Sequence, residues 1–282
     1  MEHFRPSSTE RPAAHPGDSV RWKKLRRNWL GHGEGPLFLI TLTDEVTGRT
    51  LARLTRENSV EENLETLRKY VQAFGRPIRV RTDRSTLFGQ QISRALNELD
   101  IEWIQAESPQ EPGLSSLFLD TAWENLPGEL SSARIRALES AVQYLESVYL
   151  SRWNGPISTS VPGDAHRPLL AEHDLGAICC VVLPRTFLAG RSILLDRTRY
   201  LISGVPSSVV SGEIRVEKRT GGELTARWNG KLVTLTRADE QSTAPSSPKR
   251  HVSTPKKTGA PNRAWMNGFF SRDTPPIWKL YR

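Results

Sequence analysis

Cysteine is nearly absent: the 282 residues contain only Cys179 and Cys180, adjacent in the apolar run from Ala177 to Leu183. Two neighbouring thiols have neither metal-ligand spacing nor the makings of a disulfide framework, and the run itself reads as a buried strand. No uninterrupted apolar span reaches membrane length, and the first residues, Met1-Glu-His-Phe-Arg-Pro-Ser-Ser8, lack the apolar centre of a signal peptide. The expectation is a cytosolic protein with no membrane partner. Histidines occur at positions 3, 15, 32, 166, 173 and 251, all in expected loops and none at paired metal-binding spacing. No glycine-rich phosphate loop follows a strand, since Gly31-His-Gly-Glu-Gly35 reads as a turn, so nucleotide hydrolysis has no support.

Acidic residues are scarce at the C-terminus. From Gln241 onward eight Lys or Arg face the single Asp273, so this segment carries nearly all of the net charge of +8 and leaves the preceding residues close to neutral. Its clustered Ser, Pro, Thr and Lys predict disorder. A second basic cluster, Arg21-Trp-Lys-Lys-Leu-Arg-Arg27, has five cations in seven residues beside Trp22 and Trp29. Such charge attracts phosphate without reading sequence. The expected nucleic-acid contacts are therefore Arg21, Lys23, Lys24, Arg26 and Arg27 together with Lys249, Arg250, Lys256 and Lys257 of the tail.

Periodicity organises the rest. Residues 1–16 read as an irregular arm and 17–22 as a short strand. Leu37–Thr43 and Thr50–Leu54 read as further strands of an antiparallel meander, joined through Thr47-Gly48. Ser59 with Glu61 and Glu62 forms an N-cap signal, followed by Leu64, Leu67, Val71 and Phe74 at helical spacing and a Gly75 stop. Ile78–Val80 is a fourth strand, Gln90–Leu99 a second helix, Ile101–Ile104 a fifth strand, and Arg134–Trp153 a long closing helix. After a linker at 154–177, five short strands lie between 178 and 238, the last two flanking the hairpin signal Asn229-Gly230. The residues alone support a mixed α/β domain at 17–153, a small all-β barrel at 178–238 and a basic tail at 239–282.

Asp83 follows the fourth strand, at the carboxyl end where α/β sheets keep their chemistry. Ser108-Pro-Gln lies some twenty-five residues on, Gly17-Asp-Ser-Val-Arg-Trp22 opens the domain, and Leu42-Thr-Asp-Glu-Val-Thr-Gly-Arg49 lies between them. In that order these motifs resemble the G-D-x-V-x-W-D, I-D-D-A-T-G-R and S-P-Q-x-x-G-x-x-E patterns of insertion-sequence transposases with an integrase-type catalytic core. The resemblance implies an α/β fold with a ribonuclease H-like mixed sheet and flanking helices. It also implies DNA integration chemistry on two divalent metals, Mg²⁺ or Mn²⁺, held by two Asp and one Glu. Overlaid residue by residue, the second Asp falls on Asp83, but the first falls on Lys23 and the Glu on Ser116. A cation in place of one ligand and a hydroxyl in place of another predict a catalytically silent, DNA-binding protein that needs no metal.

Glu111, Asp120 and Glu124 are the nearby acids available as substitutes, with Asp120 one helical turn from both Ser116 and Glu124. Asp18 lies five residues before Lys23, roughly 16 Å along a strand and on the opposite face, which argues against it. Asp83 also has a structural reading, as the cap of the following helix or turn. The family commonly places helix-turn-helix domains before its core, and this chain starts close to the core, which predicts loss of terminal-repeat recognition. Two alternatives stay open: an active transposase or nuclease with relocated carboxylates, and a regulator that assembles with itself or with an intact transposase.

Overall fold

The computed structural model describes residues 13–31, 35–82, 89–105, 123–155, 163–188 and 190–238. The chain divides into residues 1–238 and 239–282, and every described residue belongs to the first unit.

Strand β1 (Ser19–Arg27) is the axis of the first sheet. It pairs antiparallel with β2 (Leu37–Asp44), which pairs antiparallel with β3 (Thr50–Thr55). On its other side β1 runs parallel to β4 (Arg79–Thr82), and β4 parallel to β5 (Glu102–Gln105), giving the order β3-β2-β1-β4-β5. Helix α1 (Val60–Phe74) connects β3 to β4 and helix α2 (Gln90–Glu98) precedes β5. This is the ribonuclease H-like mixed sheet. Ser59 caps α1 by accepting from the Glu62 N–H at 3.2 Å, and Gly75, at φ 94°, ends it.

Side chains alternate across a strand, so β1 divides two cores. Val20 and Trp22, in row with Leu42 and Val80, pack with Leu64, Leu67, Tyr70 and Val71 of α1 and with Ile92 and Leu96 of α2. On the opposite face Leu25, Leu39 and Leu54 meet α3 (Leu126–Ser132) and the helical run that follows it. That run comprises α4 (Leu138–Tyr144), a π-helical turn (Leu145–Tyr149) and α5 (Leu150–Asn154).

The long helix expected from Arg134 thus starts at Leu138 and runs on to Asn154 through one π-helical turn, and it is preceded by α3, a separate helix that the sequence-based reading did not place. Arg134 adopts φ 56° after α3, with Arg134 N–H donating to Ser131 O and Ile135 N–H to Leu130 O, both at 2.9 Å. This is a left-handed helix stop carried by arginine instead of glycine, which hides it from a composition-based reading. The end of α5 covers the edge of β3: Asn154 accepts from the Thr50 N–H at 2.9 Å and donates to the Thr50 carbonyl at 2.8 Å.

The second sheet is antiparallel, in the order β6-β9-β10-β11-β8-β7, nearly closed and barrel-like. Its strands are β6 (Val181–Phe187), β7 (Ser192–Leu195), β8 (Thr198–Ser203), β9 (Gly212–Lys218), β10 (Leu224–Trp228) and β11 (Lys231–Arg237). Asn229 and Gly230 form the expected hairpin turn, with φ of 47° and 78°.

The expected strand from Ala177 is instead the helical turn α6 (Leu175–Ile178), capped by Asp174, and β6 starts at Val181. The Asp174 carboxylate accepts from the Gly176 and Ala177 N–H groups at 3.0 and 3.2 Å, which favours a turn over extended chain. Cys179 and Cys180 are buried between the two elements, and burial pushes the Cys179 thiol up to about 12.

This barrel-like sheet docks on the α1/α2 face of the core. Gln91 imitates a neighbouring strand, donating to the Val182 carbonyl and accepting from its N–H, both at 2.9 Å. Arg94 donates to the carbonyls of Ile178 and Cys180, and Thr220 to that of Glu61.

Residues 163–168 are keyed beneath the other end of the sheet. Arg76 and Arg167 exchange backbone hydrogen bonds at 2.8 Å, and the His166 ring bridges the Asp164 carboxylate at 2.7 Å and the Tyr70 hydroxyl at 3.0 Å. Gly17, at φ 80°, makes the room: a Cβ there would lie 2.5 Å from His166 N and 2.7 Å from its Nδ1. Gly17→Ala is therefore expected to cost at least about 1 kcal/mol of stability through strain and displacement of His166. Chemical denaturation of the variant against the native chain measures it, and an unchanged midpoint would contradict this packing.

Candidate functional site

In this fold the end of the sheet where β4 stops is the chemically interesting one. Among the described residues the last β1–β4 pair is Trp22 with Thr82, and β1 from Lys23 to Arg27 pairs with β2. Lys23 is half-buried and shares its face with Arg21, Thr41 and Leu25, the face covered further along by α3 and α4. Asp83, the expected second acid, lies outside the described residues, as do Ser116, Glu111 and Asp120. Glu124 is exposed just before α3. Asp18 precedes β1 and accepts from the backbone N–H groups of Ala14 and His15, both at 2.9 Å. Among the described residues no group of three or more His, Cys, Asp or Glu is placed to hold a metal ion.

The five cations of β1 do not form one patch. Lys24 shares a row with Ile40 and Arg53 on the α1 face, and Arg26 lies over the Phe38 ring on that side, at 5.7 Å. Arg27 lies over Trp29 on the other face, also at 5.7 Å. Arg21 is engaged: its Nε donates to Glu45 Oε1 at 2.8 Å and its Nη2 lies 2.6 Å from the same oxygen. The tail cations Lys249, Arg250, Lys256 and Lys257 lie outside the described residues.

Glu45 escaped the sequence-based reading, although its place in the Asp44-Glu45 acidic pair of the turn motif signalled it. Its side chain is 9% exposed and takes a further hydrogen bond from the Ser19 hydroxyl at 2.5 Å, with Arg81 Nε 4.0 Å away. Burial pushes this carboxyl up, but the Ser19 hydroxyl and the Arg21 and Arg81 guanidiniums outweigh it and hold it below the ordinary glutamate value. The other acid, Asp44, is structural. It accepts from Gly17 N–H at 2.6 Å, Thr47 N–H at 2.7 Å and the Thr47 hydroxyl at 2.7 Å, fastening the β2–β3 turn to the start of β1. The turn motif therefore orders the sheet instead of supplying ligands.

A carboxyl lowered in the folded state contributes its stability fully above the ordinary glutamate range and loses it as pH falls through the lowered value. Glu45→Gln is expected to cost about 2 kcal/mol at pH 7, by leaving Arg21 and Arg81 without their carboxylate. The difference from the native chain should shrink steadily below about pH 4. Thermal melts across that range measure it, and a difference that does not vary with pH would contradict the ion-pair account.

The strand order is that of a ribonuclease H-like sheet, and comparison with known proteins bears on the class. The chain is 26% identical over 232 residues to y4bF of Sinorhizobium fredii strain NBRC 101917 / NGR234, a protein described as a transposase. The match takes in 76% of this chain and 50% of that protein, so the chain spans about half the length of the curated relative it matches. No protein-family model matches. Among solved structures, the magnesium-bound catalytic core of HTLV-2 integrase in its dimeric form aligns at 13% identity and a TM-score of 0.40, covering 50% of this chain and 88% of that one. A chain of the simian T-cell lymphotropic virus intasome with PP2A subunit B56 gamma aligns at 15% identity and a TM-score of 0.42, covering 81% and 84%. The catalytic core of BIV integrase aligns at 14% and 0.39, covering 54% and 91%. Superpositions this loose leave the fold to the strand order itself. The chain is similar in sequence to a transposase and carries a ribonuclease H-like mixed sheet.

Proposed function

We propose that this transposase-like chain binds DNA without sequence preference and does not catalyse strand transfer. The observation that carries the reading is Lys23, a cation on β1 at the place where the family pattern puts its first metal-binding aspartate, just past the last β1–β4 pair. Two-metal phosphoryl transfer needs a set of oxygen donors, because Mg²⁺ is a hard cation. The described residues at this end of the sheet do not fit such an ion. Lys23 and Arg81 are cations, Arg21 is another, and Glu45 is committed to the guanidiniums. Ser116 in the glutamate position adds no charge, so of the family's three acids only Asp83 is retained. Phosphate affinity comes from the cations of β1 and from the tail, including Lys249, Arg250, Lys256 and Lys257.

Supercoiled plasmid incubated with Mg²⁺ or Mn²⁺ should stay unnicked by the native chain while a gel shift reports binding. Nicking that disappears in Asp83→Asn would establish a working site with substitute ligands and overturn the reading. Rebuilding the donor set tests the overlay from the other direction. The double variant Lys23→Asp with Ser116→Glu should gain a melting temperature that rises with added Mg²⁺, which the native chain lacks. A folded double variant indifferent to Mg²⁺ would refute the assignment of those two positions.

A further inference from the structure

Contacts that are small and polar leave two modules of a chain free to move, whereas an apolar contact continuous with a core makes one body of them. The junction between the barrel-like sheet and the ribonuclease H-like sheet is of the second kind. Ile178 and Cys179, at the end of the α6 turn, belong to the same buried cluster as Leu64 and Leu67 of α1 and Ile92 and Leu96 of α2, with Leu175 and Val181 packed against it. They are 6% and 4% exposed. Residues that lead into the second sheet thus complete the core of the first. Polar contacts ring this apolar centre. Gln91 takes the place of a strand beside β6, bonding both the N–H and the carbonyl of Val182 at 2.9 Å. Arg94, about one turn further along α2, donates from Nη2 to the carbonyls of Ile178 and Cys180 at 2.9 and 2.7 Å, while Nη1 donates to Glu98 at 2.9 Å and so keeps the guanidinium in place. Ile178 ends a four-residue helix, and a helix leaves its last carbonyls without internal partners, so Arg94 supplies the missing donor. At the start of α1, Thr220 donates to the Glu61 carbonyl at 3.1 Å and Lys218 lies 3.3 Å from the Glu61 carboxylate.

We infer that α1, α2 and the barrel-like sheet form a single cooperative body clamped by Gln91 and Arg94, and that the sheet leaves the core only when the whole body unfolds. Lifting it off uncovers apolar side chains of both helices and strips Gln91 and Arg94 of their main-chain partners in the same step, so the opening has no low-energy intermediate. Any partner therefore meets the two sheets in one fixed arrangement, and not as a core with a swinging module. Nothing in the clamp depends on what that partner is.

The chain's two thiols make the clamp measurable. Cys179 and Cys180 are both buried at the junction and are the only cysteines in the sequence. Thiols react as exposed thiolates, so burial silences both while the sheet is docked. The experiment is labelling of the full chain with a chromogenic aromatic disulfide over a series of urea concentrations, with global unfolding followed by circular dichroism on the same samples. In the native chain the equilibrium constant for thiol exposure should equal that for global unfolding at every urea concentration. The double variant Gln91→Ala with Arg94→Ala should expose the thiols at least about tenfold more often than its own global unfolding accounts for. Arg152→Ala, which breaks the ion pair with Glu129 on α3, should keep the two constants equal. Should the double variant fail to fold, Arg94→Lys, which keeps the charge but loses the planar guanidinium, is expected to separate the constants in the same direction. Thiol exposure in the native chain that exceeds global unfolding would overturn the inference. So would a folded double variant, or a folded Arg94→Lys in its place, whose two constants still coincide, or an equal separation in Arg152→Ala.

Discussion

The parallel pairing of β1 with β4 over only four residues, Ser19 to Trp22, is the constraint from which the rest of the core follows. Over those residues β1 is bonded on both sides and is an internal strand, and beyond them, among the described residues, it pairs with β2. The internal part carries Val20 and Trp22 into the α1/α2 core, both completely buried. The outer part carries four of the five cations, Lys23, Lys24, Arg26 and Arg27. A strand can serve both ends only because its side chains alternate, so the apolar and charged sets interleave along one short segment.

Several residues that a motif search would mark as chemical turn out to hold the frame. Gly17, Asp44 and Glu45 all converge on the start of β1: Gly17 by leaving room for His166, Asp44 by accepting the Gly17 N–H, and Glu45 by engaging Ser19 and Arg21. The same economy fastens the barrel-like sheet. The fully buried Glu217 on β9 accepts from Arg227 at 3.0 Å and Thr225 at 3.1 Å, and Arg227 in turn reaches Asp174, the cap of α6. A buried carboxylate of this kind is tolerated because its partners arrive from the neighbouring strand β10 in fixed register.

Lys23 occupies a half-buried slot on a strand that is paired with β2 from Val20 to Arg27, so the fold accommodates a cation there without an acid.

Much of this was legible in the sequence because the signals are local. The Ser59 cap, the Gly75 stop, the Asn229-Gly230 hairpin and the alternating strands each depend on residues within a few positions of one another. That a lysine directly follows Trp22 at the end of the opening motif was legible for the same reason. Other features were decided only by tertiary structure. The helix stop at Arg134 uses a residue with no glycine-like preference, and the turn at Leu175–Ile178 replaces an apolar run that reads as a strand. The engagement of Arg21 by Glu45 joins residues from β1 and the β2–β3 turn. The split of the basic cluster between two faces depends on which side of the sheet each helix covers. One-dimensional spacing records neither long-range pairing nor which face is packed, and those two facts determine which charges meet each other.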